Sequence, residues 1–90
     1  MYSKEVTIHN PSGLHARPAS EFVAAAGKFK SRITLRKTEE GAKEVNAKSI
    51  VMILSQALVT GTTVCLTANG EDEVAAVDGL VALIEGGFGE

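Results

Sequence analysis

Residues 10–19 read NPSGLHARPA, and this stretch separates two different hydrophobic patterns. Before it, residues 2–8 alternate with the period of a half-buried strand. After it, apolar side chains recur at helical spacing between Ala16 and Phe29. Proline has no N–H to donate and fits only the first turn of a helix, so Pro18 pins the start of the predicted helix close to His15.

The rest of the chain continues this mixture of patterns. Gly27 is expected to end the first helix in the left-handed conformation that glycine tolerates. The later elements are predicted as strands at residues 32–36, 43–46 and 63–68, a short helix at 50–54 with room to extend to Leu58, and a last helix with the apolar stripe Val74, Val77, Leu80, Val81 and Ile84. This order predicts an α+β fold, with a four-stranded antiparallel sheet and three helices on one face.

Length and composition restrict the class of protein. Ninety residues support one small domain, residues 1–90, without a deep enclosed pocket. The net charge of −2, with only one tyrosine and three phenylalanines, argues against a nucleic-acid surface. No apolar run reaches the roughly 18 residues of a transmembrane helix, and no charged-then-apolar leader opens the chain. We therefore expect a cytoplasmic protein that acts at its surface, without membrane insertion.

Residues 13–19, GLHARPA, carry the chemistry that the sequence offers. His15 lies at the N-terminal edge of the predicted helix, where unpaired N–H groups and partial positive charge favour an anion. The same field favours neutral imidazole, whose nitrogen lone pair can accept a phosphoryl group. Arg17 adds a permanent charge and a fork of donors matched to phosphate oxygens. Such a transfer requires no metal or cofactor, and none is expected.

Simpler interpretations remain open for some of these residues. A lone histidine beside a helix is usually a cap or a solvated side chain, and His9, outside the motif, is expected to be a strand-end side chain. Cys65 is the only cysteine, so an internal disulfide is excluded. It alternates with Val64 and Leu66 and is expected on the open side of the sheet, as a partly exposed thiol without a catalytic role.

Two segments, GLHARPA at residues 13–19 and VNAKSI at residues 45–50, resemble the HPr family, the histidine-containing phosphocarriers of the bacterial phosphoenolpyruvate-dependent sugar phosphotransferase system. The resemblance covers essentially the whole chain and implies a βαββαβα open-faced sandwich. It implies that His15 takes phosphate from enzyme I on its δ nitrogen and passes it to the IIA components of sugar permeases. Arg17 would neutralise that phosphate. The chain would then be a protein substrate in a phosphoryl relay and not an enzyme.

Ser49 matches the serine that an ATP-dependent kinase phosphorylates in many Gram-positive relatives. This resemblance implies a regulatory site, with an HPr kinase/phosphorylase and a catabolite control transcription regulator as further partners. A serine that opens a helix is exposed, and its phosphate would meet favourable dipole charge. The same serine is a good N-cap without any modification, so both interpretations stand.

The resemblance also implies a surface that docks partner proteins near His15. Its candidate residues are Ala16, Ser20, Lys28, Ile50, Val51 and Leu54. Ordinary core packing is the alternative for the apolar ones. Some positions depart from the family pattern, because Met52 and Ala57 replace common glycines. Loss of the second glycine is expected to lengthen the middle helix.

Other functions remain compatible with these residues. A purely regulatory interaction protein of the same family would have lost the relay, although the presence of His15 argues against that. A nitrogen-branch paralogue would pass phosphate to a regulatory acceptor instead of a sugar permease. A small ligand-sensing module would need a ligand cleft, and nothing in the sequence indicates one.

Overall fold

The computed structural model describes all 90 residues, Met1–Glu90, and its elements follow the predicted order. The strands are β1 (Tyr2–Thr7), β2 (Arg32–Lys37), β3 (Val45–Asn46) and β4 (Thr63–Asn69), and the helices are α1 (Ala16–Gly27), α2 (Ile50–Leu54) and α3 (Glu73–Glu85), followed by a 3₁₀ turn at Gly87–Gly89. All strand pairs are antiparallel, in the spatial order β1-β4-β2-β3. The predicted α+β fold, an open four-stranded sheet with three helices, is confirmed.

Strand β4 shows how the sheet divides into a buried and an open face. Val64, Leu66 and Ala68 are fully buried, whereas Cys65 and Thr67 between them are partly exposed. Because β4 lies between β1 and β2, its buried apolar side chains pack into the core from the middle of the sheet. The expected position of Cys65 on the open face is confirmed.

Helix α3 buries a stripe that differs from the predicted one at its first position. Ala76, Val77, Leu80 and Ile84 are fully buried and point into the core. Val74, predicted to belong to this stripe, is 51% exposed. It lies at the edge of the stripe in the first turn of the helix, and Ala76 takes the buried position there. The prediction of a buried Val74 is wrong, whereas the other predicted stripe residues are buried.

Helix α1 ends without the predicted left-handed glycine. Gly27 is its last residue and has no positive φ, and Lys28 caps the helix with φ −77° and ψ −16°. The Lys28 N–H donates to the Ala25 carbonyl at 3.2 Å, so the last turn tightens instead of reversing its hand. The predicted end of the helix at Gly27 is confirmed, but the left-handed conformation is wrong, because these shorter-range bonds already satisfy the terminal carbonyls.

Helix α2 is short, and tertiary packing sets its end. It stops at Leu54 and does not extend to Leu58. Ala57 takes a φ of +52°, a left-handed conformation that glycine adopts at lower cost. The Leu58 side chain is fully buried, and its carbonyl accepts the Leu14 N–H at 2.8 Å. These contacts outweigh the helix propensity of alanine, so the expected lengthening of the middle helix is wrong.

Asp72 ties the start of α3 to the loop between α1 and β2. Its carboxylate accepts the backbone N–H of Lys30 at 2.8 Å and that of Ser31 at 2.9 Å, together with the Ser31 hydroxyl. These bonds, the Ser31 hydroxyl first, lower the pKa of Asp72 from 3.8 to about 2. Gly70 permits the close approach, because a Cβ there would lie 2.5 Å from the Ser31 Oγ.

Replacement of Ala57 by glycine tests whether tertiary packing imposes strain after α2. Glycine relieves about 1–2 kcal/mol of left-handed strain in the folded state. It also stabilises the unfolded chain by about 0.4–1 kcal/mol, because it gives that chain more conformational entropy. We expect Ala57→Gly to raise the free energy of unfolding by about 0.5–1 kcal/mol in urea titrations. The matched control, Ala24→Gly on the exposed face of α1, should lower it by about 1 kcal/mol. Equal effects of the two changes would contradict strain at Ala57.

The pH dependence of stability tests the Asp72 contacts. Folding lowers the pKa of Asp72, so its contribution to stability is present above the ordinary value of 3.8 and is lost as the pH falls towards about 2. We expect Asp72→Asn to lower the urea midpoint at neutral pH. The variant should also lose less of its free energy of unfolding than the wild type does when the pH is lowered from neutral to acid. The control is Glu40→Gln in the exposed β2–β3 hairpin. An unchanged acid dependence in Asp72→Asn would show that these contacts do not stabilise the fold.

Candidate functional site

His15 occupies the N-cap position of α1, as the position of Pro18 predicts. Its backbone is extended, with φ −132° and ψ 160°, and its side chain caps no helix N–H. The imidazole is half-buried and makes no hydrogen bond within the chain. The interpretation of His15 as a side-chain cap is therefore wrong, and both ring nitrogens are free to meet an incoming group.

Ala16 turns the chain sharply between His15 and the body of α1. It has a φ of +52°, which costs an alanine about 1–2 kcal/mol. Strain of this kind persists only where the surrounding structure enforces it, and it concentrates at functional sites. The buried Pro18, two residues further on, holds the helical side of the turn.

The loop before His15 packs against the segment that follows α2. Gly13 has a φ of +67°, and a Cβ on it would lie 2.4 Å from the Leu58 carbonyl oxygen. Asn10 is 1% exposed, and its side-chain amide donates to the Gly13 carbonyl at 2.9 Å. The loop is thus closed on itself and pressed against Leu58, so the backbone that leads into His15 has a defined path.

Arg17 lies at the same end of α1 as His15, but its guanidinium is engaged elsewhere. One Nη atom pairs with the carboxylate of Glu21, and the other donates to the Phe88 carbonyl at 2.9 Å. The sequence offers a signal for the first partner, because residues four apart meet on a helix surface. It offers none for Phe88, which is 71 residues away.

Glu90 is hydrogen-bonded to the loop that precedes His15. Its carboxylate accepts hydrogen bonds from the Asn10 amide at 3.0 Å, the Ser12 N–H at 3.1 Å and the Ser12 hydroxyl at 2.8 Å. These bonds, that of Asn10 first, and the charge of Arg17 lower the pKa of Glu90. A negative group that sequence reasoning missed is therefore part of the surroundings of the site.

Ser49 is the N-cap of α2, as one of the two sequence interpretations predicts. Its backbone is extended, and its Oγ accepts the Met52 N–H at 3.3 Å. The residue is half-buried, and not fully exposed as its place at the start of a helix predicted. The neighbouring Lys48 turns away, since its ammonium donates to the Phe29 carbonyl at 2.7 Å. Ser49 thus has a structural role and still presents a hydroxyl at the surface.

The apolar candidates on α2 are exposed. Val51 is 70% exposed, Leu54 44% and Ile50 37%, whereas Ile53 alone points into the core. Core packing, the alternative interpretation for these three side chains, is therefore wrong. The exposed apolar side chains of α2, which we call the α2 ridge, are Ile50, Val51, Met52 and Leu54, and sequence reasoning did not assign Met52 to it.

The three candidates on α1 are exposed but spread along the helix. Ala16 and Ser20 lie within the first turns, whereas Lys28 caps the opposite end. At about 1.5 Å per residue, Lys28 is about 20 Å from His15 along the axis. Because α1 packs beside α2, Ala16 and Ser20 belong to the His15 end of the helical surface, and Lys28 does not.

Surface depressions lie away from the motif. Two open ones are present on the sheet, and neither is lined by His15, Arg17 or Ser49. The first includes His9, whose Nε2 lies 2.8 Å from the Glu85 carbonyl oxygen at the end of α3. This is the expected strand-end position for His9. In addition, no helix combines the length and the apolar character that crossing a bilayer requires.

A family model described as the PTS HPr component phosphorylation site matches residues 2–86. The chain belongs to the HPr family. The matched residues run from β1 through α3, so they include the His15 loop, the Ser49 cap and the α2 ridge together.

Individual relatives are similar over nearly their whole length. The chain is 48% identical over 84 residues to the phosphocarrier protein HPr of Haemophilus influenzae, covering 93% of this chain and 95% of that protein. It is 44% identical over 85 residues to the HPr-like protein Crh of Bacillus subtilis, covering 94% and 96%. Among solved structures, HPr-C-His from Thermoanaerobacter tengcongensis superposes with a TM-score of 0.92 at 48% identity, covering 100% and 98%.

These similarities confirm the family and the fold that the resemblance implied. An HPr component carries a phosphoryl group within the phosphotransferase system and does not catalyse a reaction of its own, so the expectation of a phosphocarrier and not an enzyme is confirmed.

Proposed function

We propose that the chain accepts a phosphoryl group on His15 from phosphorylated enzyme I and passes it to enzyme IIA components in the cytoplasm for sugar uptake. The observation that carries this proposal is the free imidazole of His15 at the start of α1, in a family whose model describes a phosphorylation site. A ring nitrogen without a hydrogen-bond partner keeps its lone pair for the attack on phosphorus.

The proposed transfer is a displacement at phosphorus. The lone pair of one His15 nitrogen forms the N–P bond while the bond from phosphorus to the donor breaks, and the donor atom keeps that electron pair. The onward step repeats the displacement with His15 as the leaving group. Arg17, two residues after His15 in the sequence, supplies the positive charge and donors that phosphoryl oxygens prefer.

We assign partner docking to the exposed ridge on α2 and the adjacent start of α1. Ile50, Val51 and Leu54 present apolar area, and Ala16 and Ser20 continue it towards His15. Exposed apolar patches of this kind mark protein-binding surfaces. Lys28, at the opposite end of α1, is assigned to a more distant contact with an acidic partner.

We also propose that phosphorylation of Ser49 regulates the carrier, with an HPr kinase/phosphorylase and a catabolite control transcription regulator as partners. Ser49 lies directly before the apolar ridge, so a phosphate there adds about −1.5 to −2 charge beside the docking side chains. Charge at the edge of an apolar interface opposes docking through desolvation and repulsion. The modification would thereby slow the relay and create a different recognition surface.

A purely regulatory role is the second candidate function. The 44% identity to the HPr-like protein Crh of Bacillus subtilis favours it, because the similarity covers 94% of this chain. A nitrogen-branch relay with a regulatory acceptor uses the same residues as the sugar branch. The first of these alternatives predicts no phosphate on His15, and the second predicts phosphate on His15 without transfer to a sugar IIA component.

Incubation with phosphoenolpyruvate and enzyme I tests the carrier function. Intact mass should show one acid-labile phosphate on the wild type and none on His15→Ala, because only His15 offers a free nucleophile at the docking surface. The matched control, His9→Gln, removes the other histidine and should be phosphorylated like the wild type. Equal labelling of His15→Ala, or no labelling of the wild type, would make the carrier proposal wrong.

Incubation with ATP and an HPr kinase tests the regulatory site. We expect acid-stable phosphate on the wild type and on the control Ser3→Ala, at an exposed serine of β1 outside the docking surface, and none on Ser49→Ala. Loss of the N-cap should cost about 1 kcal/mol, so folding of Ser49→Ala is checked by circular dichroism. Label that persists in folded Ser49→Ala, or its absence from the wild type, would contradict the proposed modification.

A further inference from the structure

Arg17 enters the proposed relay with two of its five N–H donors already engaged. One Nη atom pairs with Glu21, and the other donates to the Phe88 carbonyl at 2.9 Å. Glu21 lies one turn further along α1, and its side chain is 40% exposed. A phosphoryl group on His15 would therefore meet a guanidinium that already holds an anion.

We propose that Glu21 is a positioning residue that competes with the phosphoryl group of His15 for Arg17. The inference rests on the proposed function, because it requires phosphate on His15. Glu21 holds the guanidinium in the unphosphorylated protein and gives it up, at least in part, when the phosphate arrives. This competition lowers the stability of the phosphorylated state and makes the phosphoryl group easier to pass on.

The groups around Arg17 differ in whether they oppose a phosphate. The Phe88 carbonyl is neutral, so it orients the guanidinium without neutralising its charge. Glu90 is charged and feels the charge of Arg17, which helps to lower its pKa, but it forms no ion pair with the guanidinium. Its oxygens accept hydrogen bonds from Asn10 and Ser12 instead. The Glu21 carboxylate has Arg17 as its sole ion-pair partner and neutralises the charge that a phosphoryl group would use. Glu21 is therefore the direct competitor.

The expected size of the effect follows from the exposure of the pair. The Arg17 side chain is 54% exposed and that of Glu21 40%, so water weakens their attraction. Ion pairs of this kind, four residues apart on a helix, shift an equilibrium by about twofold. The competition should also fade in about 1 M salt, where charges are screened within about 3 Å.

A phosphoryl-exchange equilibrium measures the competition without depending on docking strength. Equal amounts of ¹⁵N-labelled wild type and unlabelled Glu21→Gln are loaded with limiting phosphoenolpyruvate and a trace of enzyme I. The phosphoryl group passes back and forth through enzyme I until the two carriers equilibrate. Intact mass then reads the phosphorylated fraction of each, and we expect about a twofold preference for Glu21→Gln.

Two controls separate competition for Arg17 from other effects of charge. Glu39→Gln removes the same charge from an ion pair with Lys37 in the distant β2–β3 hairpin, and it should show no preference. In an Arg17→Ala background, Glu21→Gln should also show none, because the competition acts only through the guanidinium. Glu21→Asp, with a shorter reach but the same charge, should restore part of the wild-type behaviour.

The outcomes separate a failure of the role proposed for Glu21 from a failure of the proposed carrier function. A ratio of one for Glu21→Gln, or a preference equal to that of Glu39→Gln, overturns the role of Glu21 and leaves the carrier function intact. A preference that persists in the Arg17→Ala background shows direct repulsion of phosphate, and it likewise overturns the inference. If the wild type takes no phosphate from enzyme I, the proposed function fails and the inference with it.

Discussion

The close contact between Gly13 and the Leu58 carbonyl is the constraint on which the candidate site depends. A Cβ at Gly13 would lie 2.4 Å from that oxygen, and the Leu14 N–H donates to the same atom at 2.8 Å. One carbonyl therefore fixes where the loop ends and where α1 begins. The left-handed turn at Ala16 and the similar turn at Ala57 lie on either side of this contact, because both chain segments must bend sharply to reach it.

The sequence predicts the features that depend on local pattern. Alternation marks the strands, and Pro18 places the start of α1 because the chemistry of proline leaves few alternatives. Errors occur where a distant contact outweighs a local preference. Ala57 turns left-handed so that Leu58 can be buried, and the end of α1 closes through short-range bonds without a glycine cap. The partner of Arg17 at Phe88 leaves no trace in local sequence, because the two residues meet only in the folded chain.

The candidate site combines a free nucleophile with an occupied cation. The His15 imidazole has no partner in the chain, whereas the Arg17 guanidinium has two. A carrier needs both properties, since a phosphoryl group held too tightly would not be passed on. For the proposed transfer through His15, a free imidazole and a partly neutralised guanidinium suit reversibility, in which neither the loaded nor the empty state is strongly favoured.

The open face of the sheet gives the protein a second, chemically separate side. Cys65, in the central strand β4, is partly exposed on this face, and the helices pack against the opposite face. It is the only thiol in the chain, so a maleimide dye or a surface linker would attach at a single known position. A molecule anchored in this way presents α1 and α2 to the solution. Partners could then be titrated against it, because the attachment point is on the opposite side of the sheet from these helices.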